Sequence, residues 1–408
     1  MVKPHVLLTL CAGFLAGLGT ACRGGNTSAY WETLPVGVHG GIRQRPQGDV
    51  QSLAKFRVVV VDPSEGPLCT APCHACCNAS AAACAVENNF IRTLKSVKAI
   101  DSSVITMAYI NSILMMPYFS LSQDFYANAS ALLLRDSQAR IVTFHGDNPE
   151  QPDPFCAAFP TYDWSQAAAR AAVLADFARM AASGAVDGVY LDKSSIWPGY
   201  GDSDNPDPQG KDTLCQHDCY TLAPTQTSDY VAGRLALFRA FDEACAEISA
   251  SQTKLTPTGG ICSVDARTAQ PPISQMLGGY MPSSMHIFRA VARKSYDNAT
   301  ITYVRGLENR TKHLLWYGTC QTETEVAFFL VMAWEGCYCM TFSNDATAEQ
   351  QWASGWHYAS RLGAPSGPAT FVNGKTWVRD FAYGAQARYD IRTGNGKVTW
   401  SHSSERIV

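Results

Sequence analysis

The stretch FPTYDWSQAAARAAVLADFARMAASGAVDGVYLDK, residues 159–193, reads as one helix feeding a buried strand that ends in a carboxylate. After Asp163, the apolar positions Ala169, Val173, Phe177 and Met180 recur at three- and four-residue spacing, so one helical face can cover a sheet. Gly184 stops that helix. Val186, Val189, Tyr190 and Leu191 follow as a short apolar run suited to a strand buried on both faces, and the run ends in Asp192 and Lys193. Charge therefore stands at the carboxyl end of a buried strand.

The same alternation extends in both directions. Strand-like runs occur at FRVVVVD (56–62), VITMAYI (104–110), GVYLD (188–192), KLTPT (254–258), ITYVRG (301–306) and CYCMTF (337–342). Helices are expected over 88–99, 165–183, 228–249 and 322–334, each long enough to cross between parallel strands. The rhythm places two more strands near 159–162 and 278–281. The expected fold is α/β, a (β/α)8 TIM barrel over 51–345. Residues 22–50, rich in Gly, Arg, Gln and Pro, read as a loosely ordered leader. From 346 to 408 the character changes, with KTWVRDF, AQARYDI and KVTW separated by turn residues, and a small antiparallel β unit packed on the barrel is expected there.

Residues 1–21, with Lys3, an apolar run over 6–18 and the small residues Gly19, Thr20 and Ala21, have the layout of a secretory signal peptide, so a secreted, extracellular protein is expected. Sequons at Asn26, Asn78, Asn128, Asn298 and Asn309 fit a glycoprotein. Of fifteen cysteines, Cys11 lies in the signal, and the remaining fourteen are compatible with up to seven disulfides in an oxidising compartment. A formal net charge of −3 with no basic tract gives a nucleic-acid partner little electrostatic support. No stretch after the signal is long and apolar enough for a membrane span, since even AFFLVMAW stops at Glu335. Neither the oligomeric state nor the disulfide pairing is legible.

Six pieces in order, AYINSILMMPYF (108–119), LLRD (133–136), PTYDWS (160–165), VDGVYLDKS (186–194), YVRG (303–306) and the tail from 362 to 400, resemble an uncharacterised family of TIM-barrel glycoside hydrolases, distantly similar to endo-α-1,4-polygalactosaminidase-like barrels. The resemblance implies a glycosidase acting on a poly- or oligosaccharide, and it transfers a chemistry class without a substrate. One departure stands out. Related barrels generally present a second acid at the end of the sixth strand, whereas GGYMPSSMHIF (278–288) has no carboxylate.

Glycoside hydrolysis needs two carboxylates, one to protonate the leaving oxygen and one to attack or to activate water. Asp192 is the first candidate, because carboxylates at the carboxyl ends of barrel strands face the mouth; its plain alternative is a strand-end cap or a pair with Lys193. Asp163 matches the PTYD position at the end of the expected third strand and is the second candidate. With Gln166 three residues on, it also fits a helix cap. Asp62, ending the first expected strand, is a sugar-binding candidate or an ordinary turn aspartate. Tyr109 and Asn111 can offer a ring face and an amide to a sugar. His145 could add a polar contact, Trp197 a stacking platform and Arg305, read at the end of the seventh strand, an orienting charge. Asp265, Glu308 and Glu335 complete the possible proton donors. Cys69, Cys73, Cys76, Cys77 and Cys84 with His74 superficially suit zinc, but export favours a disulfide knot. The acidic loop 199–212 lacks an EF-hand pattern, so no metal and no cofactor is expected. The alternative to an enzyme is a glycan-binding barrel without turnover, and a third reading is a structural extracellular protein.

Overall fold

The computed structural model describes residues 30–40, 47–61, 86–112, 115, 130–145, 158–192, 213–215, 219–251, 261–265, 285–289, 297–308, 313–317, 320–343 and 348–400. Eight parallel strands close into a barrel: β1 (Val36–Gly40), β2 (Val58–Val61), β3 (Ile105–Asn111), β6 (Gly188–Asp192), β9 (Ile261–Asp265), β10 (Met285–Arg289), β11 (His313–Tyr317) and β12 (Cys337–Ser343). Off the barrel, β4 (Thr143–His145) pairs with β5 (Ala158–Pro160), and β7 (Thr213–Cys215) with β8 (Cys219–Thr221). Helices α1 (Gln47–Leu53), α2 (Val86–Ile100), α3 (Ala167–Ala182), α4 (Pro224–Ser251), α5 (Asn298–Leu307), α6 (Glu323–Met332) and α7 (Ala348–Ser354) connect or follow barrel strands. The connection between β9 and β10 lies outside the described residues, so the (β/α)8 alternation is traced in part.

Side-chain alternation divides each barrel strand into an outer and an inner row. Val59, Val61, Ala108, Ile110, Val189, Leu191, Leu314 and Trp316 belong to the core shared with the helices, whereas Val58, Val60, Ile105, Met107, Tyr109, Tyr190, Leu315, Tyr338 and Met340 fill the interior. Register agrees around the ring: Val60 pairs with Met107, Tyr109 with Tyr190, and Tyr190 with Ser263. The periodicity seen before Gly184 also holds, since Ala169, Val173, Phe177 and Met180 are the buried face of α3.

Several sequence expectations are corrected here. VGVHG at 36–40, read as part of a loose leader, is a fully buried barrel strand between β12 and β2. Its five residues include two glycines and carry no periodic signal; only pairing on both sides identifies it as a strand. The segment before it is also anchored. Glu32 accepts hydrogen bonds from Arg361 at 2.7 Å and the Tyr383 hydroxyl at 2.9 Å, and its carbonyl accepts from Leu362 N–H. The run at 159–162 is no barrel strand, because β5 pairs antiparallel with β4. ITYVRG is helical, not the seventh strand: Asp297 caps α5 by accepting from Thr300 N–H at 2.7 Å, and Ile301 and Val304 bury one face. The strand in that place is β11, HLLWY. KLTPT and 278–281 lie outside the described residues, and the barrel strands in those regions are β9 and β10.

Strands β13 (Thr370–Val372), β14 (Thr376–Asp380), β15 (Gln386–Asp390) and β16 (Asn395–Thr399) form the expected antiparallel sheet. Between it and the barrel lies α6, whose residues 326–332 are all buried. The apolar stretch AFFLVM is thus helical and covered on all sides, which is the setting in which a helix loses its polar face. Each large apolar side chain buried there contributes roughly 1.5–3 kcal/mol. Among the described residues no helix is long and apolar enough to cross a membrane.

Candidate functional site

The barrel interior changes chemistry at its carboxyl-terminal end. Below, Val58, Ile105, Met107, Leu315, Tyr338 and Met340 are apolar fillers. Above them, His39, Tyr109 and Tyr190 form an aromatic floor: Tyr109 and Tyr190 stack with centroids 5.9 Å apart and planes inclined by 17°, and His39 lies 4.6 Å from Tyr190. Asn111 follows Tyr109 on the same row, is 4% exposed, and donates its amide to the Tyr109 hydroxyl at 3.1 Å. One face of Tyr109 is therefore taken by Tyr190, and its hydroxyl positions Asn111.

Strand register extends this tier. Asn111 pairs with Asp192 across β3 and β6. Leu191 pairs with Val264 across β6 and β9, so Asp192 and Asp265 are the next positions on two adjacent parallel strands. Alternation places position 192 on the row of Tyr190 and position 265 on the row of Ser263, the residue paired with Tyr190. Asn111, Asp192 and Asp265 thus stand in register at the carboxyl-terminal ends of three neighbouring strands. On β10, Arg289 ends the corresponding row, so this strand brings a cation and no acid.

Asp163 sits beside this end of the barrel but off its strands. The segment that carries it docks on the residue after β3: Trp164 donates its indole N–H to the Ser112 carbonyl at 2.8 Å, and Arg234, from α4, donates to the same oxygen. The Asp163 carboxylate accepts from Ser165 N–H at 3.1 Å, Ser165 hydroxyl at 2.6 Å and Gln166 amide at 3.1 Å. It fastens the turn entering α3, whose N-cap is Gln166 without a side-chain capping bond. Burial, with the Asp163 charge adding to it, pushes the nearby Tyr230 phenol up to about 12.

Arg305 is away from the mouth. It projects from α5 over the Trp377 ring at 5.2 Å and donates to the Val331 carbonyl at 3.2 Å, so it joins α5, α6 and the small sheet. Glu308 closes α5 ahead of β11 and Glu335 precedes β12, which puts both at the amino-terminal end of the barrel. His145 ends β4 on the outer ribbon. Asp62, Trp197, the cysteine cluster from 69 to 84 and the loop 199–212 lie outside the described residues. Among the described residues no group of His, Cys, Asp and Glu gathers to hold a metal. Cys320 and Cys339 form a disulfide, and Cys337 is a buried thiol.

Sequence reasoning passed over His39, which lay in the supposed leader, and gave Asp265 no priority because its strand was placed too early in the chain. The signal for Asp265 was the apolar pattern of ICSVD, the same strand-then-acid form as GVYLD.

No family model matches the sequence, and no curated protein matches it. Among solved structures, the cyclic α-maltosyl-(1→6)-maltose hydrolase from Arthrobacter globiformis, in complex with its cyclic sugar, is similar at 9% identity with a TM-score of 0.44, covering 92% of this chain and 92% of that one. The α-N-acetylgalactosaminidase NagBb from Bifidobacterium bifidum, in its GalNAc complex, is similar at 10% identity and a TM-score of 0.42, covering 91% of this chain and 59% of that one. The glycoside hydrolase domain of PelA from Pseudomonas aeruginosa is similar at 10% identity and a TM-score of 0.30, covering 68% of this chain and 92% of that one.

Proposed function

We propose that this chain is a secreted glycosidase that cleaves a poly- or oligosaccharide at the carboxyl-terminal mouth of its barrel, with Asp192 as nucleophile or general base and Asp265 as the second acid. The observation that carries the reading is the register that brings Asn111, Asp192 and Asp265 to the carboxyl-terminal ends of three adjacent barrel strands. The proposed chemistry uses one carboxyl group to protonate the leaving oxygen and the other to attack or to activate water. Asn111, held by Tyr109, is suited to a sugar hydroxyl, and the rings beneath close the bottom of the cleft. The finer kinship with polygalactosaminidase-like barrels rests on the six ordered pieces, PTYDWS and VDGVYLDKS among them, and supplies a chemistry class without a substrate.

The test is release of reducing ends from a broad polysaccharide panel, with Asp192→Asn and Asp265→Asn as matched controls. Release by the native chain that both variants lose supports the assignment; release unchanged in Asp192→Asn overturns it. The second reading, a glycan-binding barrel without turnover, is favoured by the sixth strand ending in Arg289 where related barrels carry an acid. It predicts saturable binding to one glycan of the panel and no release.

A further inference from the structure

The small sheet overhangs α5. Phe371, Trp377, Tyr389 and Gly396 are cross-strand partners and so share one face of that sheet. Along this face the covering differs from strand to strand. Gly396 lies so close to α6 that an added Cβ would come within 2.7 Å of the Ala327 Cβ. Tyr389 packs edge-on against Phe328 at 4.8 Å. Trp377 meets α5 through Arg305 and Asn298. Phe371, 5.1 Å from Trp377, is beyond the helix and 41% exposed. It and Ile100 are the large apolar side chains left exposed among the described residues.

Asn298 begins the sequon Asn298-Ala299-Thr300 and is half-buried at the first position of α5. Its side-chain oxygen accepts from the Trp377 indole at 2.9 Å. An indole N–H can only donate, so the oxygen must face Trp377 and the amide nitrogen is left for other chemistry. N-glycosylation uses that nitrogen and leaves the oxygen as an acceptor. We propose that Asn298 carries an N-linked glycan whose first sugar lies over Phe371 and the open part of Trp377. In the transfer, the Asn298 nitrogen bonds to the anomeric carbon of a sugar held on a lipid diphosphate. The bond from that carbon to the diphosphate breaks, and the nitrogen's proton passes to a base of the transferring enzyme. A pyranose has an apolar C–H face that matches aromatic rings, and the linkage point is anchored within one side chain of them.

The experiment is expression of the full chain through a eukaryotic secretory pathway, followed by peptide mass mapping before and after enzymatic removal of N-glycans, which leaves aspartate at each occupied position. The expected result is an occupied position 298. An unmodified Asn298 in the secreted protein overturns the proposal. Contact is read by a thermal cycle with Thr300→Ala, which removes the sequon and spares the Asn298 amide, and Phe371→Ser. Losing the glycan should lower the melting temperature by about 2 °C in the native background. With Phe371→Ser it should change little; equal shifts in both backgrounds overturn the packing on Phe371. None of these outcomes depends on sugar cleavage.

Discussion

Cleavage should proceed with retention of anomeric configuration. Neighbouring strands lie about 4.7–4.9 Å apart, and Asp192 and Asp265 stand one residue beyond the paired positions Leu191 and Val264. The proposed pair, two aspartates on adjacent parallel strands, assigns its carboxyl groups about the backbone spacing, about 5 Å. Retaining glycosidases need about 5–5.5 Å between the groups, and inverting enzymes about 6.5–9.5 Å to admit a water. Proton magnetic resonance of the product in the first minutes, before mutarotation, reads the outcome directly. Two variants divide the roles. Asp192→Gly should be inactive on sugar alone and should form a glycosyl azide of opposite configuration when azide is added, because the anion fills the nucleophile's place. Asp265→Asn should slow cleavage of a sugar leaving group by about 10²–10⁴-fold, which is about 3–5 kcal/mol of barrier. It should slow glycosylation by an aryl glycoside with an acidic phenol far less. Release of the inverted anomer, or an unchanged rate in Asp265→Asn, refutes the pairing across β6 and β9.

Asp163→Asn should keep turnover within a few-fold and lower stability by about 0.5–2 kcal/mol, measured by denaturant melting, because the carboxylate fastens the turn entering α3; loss of turnover with unchanged stability would return Asp163 to the catalytic pair. Gly396→Ala should destabilise by about 1–3 kcal/mol, since its Cβ would meet the Thr324 carbonyl oxygen at 2.8 Å as well as Ala327, and backbone cannot step aside as a long side chain can; an unchanged melting temperature would mean that β16 and α6 are not held this closely. The third concerns acid. Burial raises the Asp136 carboxyl, but hydrogen bonds from the Arg140 and Gln138 N–H groups and the Arg140 guanidinium outweigh it and hold the group below its usual range. A carboxylate depressed in the folded state adds stability that is complete above its unfolded value, about 3.9, and is lost as pH falls through the folded value. The melting temperature should therefore drop below about pH 4, and Asp136→Asn should be less stable at neutral pH with a shallower acid limb; parallel acid limbs would remove Asp136 from the account.

What the sequence revealed followed the length of its periodic segments. The helix over 165–183 and the strand GVYLD were legible because sixteen helical residues, four of them apolar positions on one face, lead into a run with no polar gap. The tail was legible through its turns, and residues 391–394 join β15 to β16, with Gly394 at a φ of +68°. The errors arose where local composition and tertiary setting disagree. ITYVRG is rich in β-branched residues, yet a capping aspartate and the spacing of Ile301 and Val304 make it a helix. VGVHG looks like a loop because two of its five residues are glycine, yet an added Cβ on Gly37 would come within 2.4 Å of the Met340 sulfur. That glycine clears space for a methionine from the neighbouring strand, a demand that exists only once the barrel has closed.

Misplacing β1 also shifted the ordinals of the next two strands, and counting 159–162 as a barrel strand restored the count at GVYLD, which hid the site more than it hid the fold. With the barrel begun at FRVVVVD, Asn111 ended a second strand, and the strand before it contributed no residue to the mouth except Asp62. With β1 in place, His39 enters the floor against Tyr190, and with 159–162 taken off the barrel β3 becomes the neighbour of β6, which pairs Asn111 with Asp192. The lower interior is a stack of fillers closed beneath by Tyr30, whose ring meets Tyr338 at 5.7 Å and whose hydroxyl reaches the Cys337 carbonyl. The packing of those layers carries stability. The upper row gives up apolar burial to hold the Asn111 amide, and the packing below offsets the cost of that buried polar group. A barrel divided in this way can change its mouth residues with little effect on its fold, which is why Asp192→Asn and Asp265→Asn are sound tests of chemistry.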